Sequence, residues 1–244
     1  MDRSIDINKA FSHLFEDPDW ISKTALGALL LVAPILNFVV FGYEVRVIRN
    51  VSKGEAHPLP SWNEFGDMFI EGLWLGLARI VYGLPIFIFL FSALFMFFVA
   101  PIGGAAIFNP RTPRDADQIA SLIFLLVFSI STVCCGLGII YSLALGVLSP
   151  AITANYARQG TFVSCFNFGE IFALIRRNPS NYLMVWVTGL LGGVIYLAIS
   201  SVASFLLCLN VIILWPTIFW LITAVGHAVG QFLALDSPQS VSNT

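Results

Sequence analysis

The chain has 244 residues, of which 58% are hydrophobic and only 11% are charged. A soluble globular domain carries about 25% charged residues, and a water-soluble core of this size could not bury 22 Phe and six Trp side chains. The net charge of −2 also argues against nucleic-acid binding, because such domains are usually strongly basic. The composition therefore predicts that lipid is the solvent for much of the surface, and the segments described below predict an all-α polytopic membrane protein.

The cysteines and the N-terminal residues exclude two further classes of protein. No cysteine spacing resembles a zinc site, and we expect small apolar roles for Cys134, Cys135, Cys165 and Cys208. The first nineteen residues contain five acidic side chains, which is the wrong charge for a secretory signal. We therefore expect the first apolar segment to be retained, and we expect no cofactor or metal.

One stretch of the sequence occurs twice, at residues 49–80 and 156–177. In each copy an apolar segment is followed by a basic residue and a glycine. A predicted helix then begins at a matching pentad. The pentads are Phe65-Gly66-Asp67-Met68-Phe69 and Phe168-Gly169-Glu170-Ile171-Phe172. The duplication predicts a two-span repeat.

The first third of the chain is predicted to contain two interfacial helices and two spans. Apolar residues at helical spacing in residues 1–19 predict a short helix at the membrane interface. Ala25–Tyr43 lacks charge over nineteen residues. A helix of that length rises about 28 Å, close to the roughly 30 Å hydrocarbon core. Trp62 to about Arg79 is predicted to lie along the surface, followed by the second span at Ile86–Ala100.

The remainder of the chain is predicted to hold three more spans. We expect a loop at 101–118, a span at about Ile119–Leu148 that Pro150 ends, and a second surface helix at Val163–Arg177. No Asp, Glu, Lys or Arg occurs between Asn178 and Leu235, which leaves room for two spans of about 20 residues. We place these at Tyr182–Leu206 and Val211–Leu233, with a turn near Cys208, and expect a disordered tail at 236–244.

These elements predict five transmembrane helices with two or three interfacial helices. We divide them into an N-terminal helix (1–19), repeat one (about 20–101), repeat two (about 119–206) and an extra span (about 211–233). An even number of spans per copy makes the repeat parallel, with both surface helices on one side. Counts of basic residues in the connecting loops place that side and the C-terminus in the cytoplasm, and the N-terminal helix outside.

Few residues in the predicted spans could carry chemistry. His227 is the one ionisable group deep in a span, and such residues are functional candidates by default. With Gln231 it forms an i, i+4 pair. This pair could serve a haem or a proton relay, or His227 could be a neutral residue hydrogen-bonded within the protein, which we favour. His13 and His57 are expected to be solvated.

Two other sets of polar residues are candidates for contacts. Asn37 and Arg79 are candidates for polar contacts in the membrane, and Arg79 could instead extend to lipid headgroups. Glu64, Asp67 and Glu71 share one helix face, which is either a solvated face or a docking surface for a basic partner. Every catalytic motif that we tested is absent from the sequence, and we expect a protein that is not an enzyme.

Several short motifs resemble a known family, strongest over residues 11–90. They are Phe15–Trp20, Gly42-Tyr43, Arg46–Asn50, Leu59–Trp62 and Phe65-Gly66. The chain resembles the prokaryotic integral-membrane proteins of domain-of-unknown-function family 4013, although Ser61 stands where the family usually has an acidic residue. The resemblance implies a helical membrane protein of bacteria or archaea with no established activity. We expect a scaffold or accessory subunit that binds lipids, other membrane proteins or itself, or alternatively a transporter component.

Overall fold

The computed structural model describes residues 4–107, 114–204 and 207–236. Throughout these ranges the regular secondary structure is helical, which confirms the predicted all-α fold. The α-helices are α1 (Ile7–Ser12), α2 (Trp20–Val32), α3 (Asn37–Ser52), α4 (Phe65–Ile107), α5 (Arg114–Gln159), α6 (Phe168–Arg177), α7 (Pro179–Ala203) and α8 (Leu207–Asp236). Short 3-10 helices span His13–Glu16, Trp62–Glu64 and Phe162–Phe166.

Four helices in the described ranges are long and apolar enough to cross a membrane, which confirms a polytopic membrane protein. They are Trp62–Leu94, Phe124–Gln159, Pro179–Ala203 and Ile212–Asp236. The predicted first span at Ala25–Tyr43 is wrong as a continuous helix, because the chain breaks between α2 and α3. These two helices have 13 and 16 residues, and each is shorter than the roughly 20 residues that a span needs.

Pro34 explains why this apolar segment breaks. Proline lacks a backbone N–H and pushes the residue before it out of the helical region, and Ala33 is extended with φ −91° and ψ 117°. The outer ends of α2 and α3 then meet the same loop. Lys23 Nζ donates to Leu59 O over 3.1 Å, and Asn50 Nδ2 donates to Pro58 O over 3.0 Å. The segment is therefore a helical hairpin that returns to the side it came from.

The hairpin is held by two close helix contacts. A side chain at Gly42 would collide with the backbone of Met68, and one at Gly72 would collide with the backbone of Phe38, so α3 and α4 cross with their backbones in contact. α8 lies along α3 in the same way, because a Cβ at Gly230 would be 2.6 Å from Val51 Cβ. Small residues allow such approaches between membrane helices.

The chain divides into two compact units. The first contains Met1–Ala78 and Leu148–Thr244, and the second contains Arg79–Val147. Within the second unit, the ends of α4 and α5 form an antiparallel pair. Tyr141 Oη donates to Tyr82 O over 2.8 Å, and Gly138 lies against the ring of Phe89.

The long helices extend past several predicted ends. The expected loop at 101–118 is helical at 101–107 and 114–118, while 108–113 lie outside the described residues. Trp62–Arg79 is not a separate surface helix, since α4 continues from Phe65 to Ile107. Pro150 lies inside α5 and does not end it, because neighbouring groups re-satisfy the backbone around a proline in membrane helices. The turn expected near Cys208 is wrong, because residues 207–210 belong to α8.

The two repeated stretches fold alike. Each pentad forms the start of an α-helix that follows a short 3-10 helix, directly for Phe65 and after one residue for Phe168. The fourth residue of each pentad, Met68 or Ile171, is fully buried. The preceding glycines, Gly54 and Gly160, both have positive φ, at 77° and 68°. Tyr156 Oη donates to the Glu71 carbonyl over 2.8 Å, so the two stretches are in contact. The boundaries of the repeat units remain a prediction.

The N-terminal helix lies on the same side of the first unit as the C-terminal end of α8. Ile5 N donates to Asn181 Oδ1 over 3.3 Å, and Asp6 N donates to Gln231 Oε1 over 2.7 Å. The prediction that it lies opposite the C-terminus is therefore wrong. The physical reason is the hairpin, which adds no membrane crossing between α1 and α4.

This arrangement leads to a test of orientation. Eight of the twelve Lys and Arg residues lie on elements that meet at this end: Lys9, Lys23, Arg46, Arg49, Lys53, Arg158, Arg176 and Arg177. The positive-inside rule then predicts that both termini are cytoplasmic. Fusions of green fluorescent protein should fluoresce at either terminus, and alkaline phosphatase fusions should be inactive at both. Opposite results at the two termini would contradict the hairpin.

A second test concerns the crossing of α3 and α4. Gly72→Ala should force the two backbones apart and lower the melting temperature in detergent, because overpacking costs about 1–3 kcal/mol. Gly189→Ala is the matched control, since no atom lies within 4 Å of a Cβ at that position. Alanine is the better helix former, so this control should be neutral or slightly stabilising. Equal effects of the two substitutions would contradict the close crossing.

Candidate functional site

The predicted pair of His227 and Gln231 forms the centre of a polar cluster. Gln231 Nε2 lies 2.9 Å from His227 Nδ1 and donates to Asp6 O over 3.1 Å, while its Oε1 accepts from Asp6 N. An amide nitrogen only donates, so His227 Nδ1 accepts and its proton is assigned to Nε2. One glutamine side chain therefore holds both the histidine and the backbone of the N-terminal segment.

The structure adds His13, which sequence analysis had placed in solvent. His13 is only 2% exposed, and its ring stacks on that of His227 with centroids 4.5 Å apart. Its Nδ1 donates to the Ala10 carbonyl over 2.8 Å. Within the described residues its Nε2 is buried without a hydrogen-bond partner. The expectation of a solvated His13 is wrong, whereas His57 is exposed as predicted.

The N-terminal segment, Ser4–Glu16, reaches this position because it packs on α8. Ala10 and Leu14 are buried on one face of the segment, and Trp220 Nε1 donates to the Phe11 carbonyl over 2.9 Å. Asp6 caps α1 by accepting from Lys9 N over 2.9 Å, the usual role of an acid at this position. The predicted interfacial helix is therefore docked on protein, with its other face exposed.

Burial lowers the pKa of His13 to about 4, because the charged imidazolium would lose its hydration. The Ala10 carbonyl and the carboxylates of Glu16 and Asp17 favour the proton, while the charge of Lys9 opposes it. Burial prevails, so His13 is neutral at pH 7.

The acidic face of the first repeated stretch is largely engaged within the chain. Arg46 pairs with Glu64 and, over 3.3 Å, with Glu71, whose other oxygen lies 2.8 Å from Arg49 Nη1. Asp67 remains exposed. The set predicted as a docking surface is thus partly a network that ties α3 to α4.

The other predicted polar residues lie apart from the histidine cluster. Asn37 begins α3, and its Oδ1 is buried with no hydrogen-bond partner among the described residues. Arg79 belongs to the second unit and is half-buried. Groups of three or more His, Cys, Asp or Glu that could hold a metal ion do not occur in the described part of the chain.

Sequence reasoning missed His13 for an identifiable reason. His13 falls on the same helix face as Ala10 and Leu14, so helical spacing could have predicted its burial. Its partner is 214 residues away, and no local pattern indicates which helix covers the segment. The pair is a product of tertiary packing.

Comparison with known proteins identifies the type of protein and no activity. A family model described as Protein of unknown function (DUF4013) matches residues 25–209. No curated protein and no solved structure matches the chain.

The buried histidine predicts that docking of the N-terminal segment depends on pH. A group whose pKa is lower when docked favours docking above its free value, near 6.5, and opposes docking as pH falls towards 4. One proton weakens docking by up to about tenfold per pH unit in that window. The protection of the amides of Ile7–Ser12 against hydrogen exchange, measured relative to their intrinsic exchange rates at each pH, should therefore decrease between pH 7.5 and 5.

Two variants separate His13 from general acid effects. His13→Phe keeps an aromatic ring on His227 and removes the titrating group, so it should reduce the pH dependence. His57→Phe replaces an exposed histidine and should leave that dependence unchanged. The same pH dependence in His13→Phe as in the parent protein would contradict the assignment.

Proposed function

The chain belongs to the family described as Protein of unknown function (DUF4013), and we propose that it is a scaffold or accessory subunit, without catalytic activity, that binds other membrane proteins or lipids. The observation that supports this proposal is the apolar surface of the second unit. Ile139 and Ile140 lie about 100° apart around α5, yet they are 63% and 65% exposed.

The facing helix of the second unit shows the same property. Ile88 and Phe91 of α4 are 70% and 68% exposed. A helix that is apolar all round lies in hydrocarbon or against another membrane-embedded surface. The pair thus offers more apolar surface than its own contacts cover, which suits a subunit that binds within the membrane.

Gly136 offers a place for a close helix contact on this surface. It is exposed, and a Cβ there would meet no atom within 4 Å. Thr132 lies one turn earlier on the same exposed face, and small residues at this spacing allow another helix to approach closely in lipid. We place the protein in the plasma membrane of a bacterium or archaeon, where its partner is a lipid, another membrane protein or a second copy.

A small transporter or permease component is the second candidate. The break between α2 and α3 favours it, because transporters use interrupted helices at their binding sites. Asn37 Oδ1 at this break is buried and has no hydrogen-bond partner among the described residues. Against this candidate, Ile35 at the break is 68% exposed and does not line an enclosed cavity.

Extraction in native-membrane nanodiscs, followed by mass spectrometry, tests the proposal. The protein should be recovered with a membrane protein or a retained lipid in fixed ratio. Gly136→Leu should reduce the amount of this bound partner at least about tenfold, because the larger side chain blocks its close approach to α5. Gly193→Leu of α7 is the control, because this glycine is also exposed with open space around it.

Two results would argue against the scaffold proposal. The first is recovery of the protein with neither a protein nor a lipid in fixed ratio. The second is solute uptake by vesicles that contain this protein alone, which would favour the transporter. In that case Asn37→Leu should abolish uptake while Gly136→Leu leaves it intact.

A further inference from the structure

A cavity of about 290 Å³ opens where the C-terminal ends of α3, α5, α6 and α8 meet in the first unit. We call it the arginine cavity. Its polar lining consists of Arg49, Ser52, Arg158, Arg177 and Asp236. The side chains of Ala157 and Leu233 add an apolar wall.

Positive charge exceeds negative charge in this lining. Three guanidinium groups share the cavity with one carboxylate, that of Asp236, whose side chain is 8% exposed. Its Oδ2 lies 3.2 Å from Arg177 Nη1 and 3.7 Å from Arg158 Nη1. Each guanidinium has five N–H donors, so one carboxylate oxygen cannot engage both groups fully. The Arg158 and Arg177 side chains are 44% and 58% exposed, and their remaining donors are accessible.

Arg49 is the third arginine that lines the cavity, and its side chain is held in place by two contacts. Its Nε donates to the Ala157 carbonyl over 2.9 Å and its Nη1 donates to Glu71 over 2.8 Å. The side chain is therefore held in one position where it lines the cavity, and Glu71 offsets part of its charge. A pre-organised guanidinium loses little entropy when it binds an anion.

The position of the cavity indicates the kind of anion. The candidate spans Pro179–Ala203 and Ile212–Asp236 begin and end beside it, which is the level where lipid headgroups lie. Arginine matches the geometry of phosphate through paired N–H donors. A volume of 290 Å³ admits a phosphate group with water, since one water occupies about 30 Å³ in the liquid.

We propose that Arg158 and Arg177, with Arg49 behind them, bind a negatively charged phosphate group in the arginine cavity. The phosphate belongs either to an anionic lipid headgroup or to a soluble phosphate compound. This site is separate from the apolar surface of the second unit and stands whether or not that surface binds a partner.

A simpler explanation is that these arginines only stabilise the helix ends. Carbonyl groups at the ends of α3, α5, α6 and α8 carry partial negative charge, and Arg49 does bind one of them. Arg158 and Arg177 instead pair with Asp236. Neutralising Asp236 distinguishes the two explanations. If the arginines bind phosphate, the Asp236 carboxylate competes with it and weakens binding. If the arginines are purely structural, the carboxylate supports them.

The test titrates the full-length protein in detergent with phosphatidylglycerol, phosphatidylcholine or inorganic phosphate, with the rise in melting temperature as the measure of binding. Phosphatidylglycerol should bind at least tenfold more tightly than phosphatidylcholine if the source is a lipid headgroup. Saturable binding of inorganic phosphate without preference between the lipids would support a soluble phosphate compound instead. Binding of neither anionic probe would overturn the proposal.

Three variants assign any binding to the cavity. The double variant Arg158→Gln with Arg177→Gln should weaken binding at least tenfold, whereas Arg176→Gln should change it less than twofold, since Arg176 is exposed outside this cavity. Asp236→Asn should strengthen binding severalfold, and this gain of function cannot arise from misfolding. Equal losses in the double variant and Arg176→Gln, or no gain in Asp236→Asn, would overturn the proposal.

Discussion

The packing of α8 along α3 is the interaction on which the first unit depends. Gly226 and Gly230 present no side chain to α3, so the two backbones approach until Gly230 lies against Ile48 and Val51. In lipid there is no hydrophobic force between helices, and close van der Waals packing of this kind drives their association. The polar contacts of His227, Gln231 and Asp236 lie on the same C-terminal half of α8 as these glycines.

Opposite faces of α8 serve two different polar sites, because Asp236 lies about 180° around the helix from His227. His227 and Gln231 meet the N-terminal segment, and Asp236 meets Arg158 and Arg177. The nine helical steps from His227 to Asp236 rise about 14 Å. A movement of α8 along α3 would therefore alter both the histidine cluster and the arginine cavity.

The two units have different physical characters. In the first unit, glycine contacts, a core around Tyr43 and Phe219, and ion pairs join elements that are distant in sequence. The second unit is an antiparallel pair of helices whose apolar side chains are mostly exposed. The histidine cluster and the arginine cavity thus lie in the first unit, whereas the second unit exposes apolar side chains such as Ile88 and Ile139.

The sequence by itself determined the solvent, the class of fold and some of the local elements. Scarcity of charge and long apolar runs are averages over many residues, and they indicate helices in lipid whatever the packing. The repeated pentads, the helix end at Asn178-Pro179 and the pair of His227 and Gln231 were also readable, because each depends on neighbours within about four residues.

Only the tertiary structure decided how the first apolar segment runs and which polar groups meet. Pro34 permits either a kinked span or a hairpin, and the choice depends on whether α3 finds α4 and α8 to pack against. His13 with His227, and Arg158 with Asp236, join positions far apart in the chain. Such contacts depend on how several helices pack together, and no local sequence pattern indicates that packing.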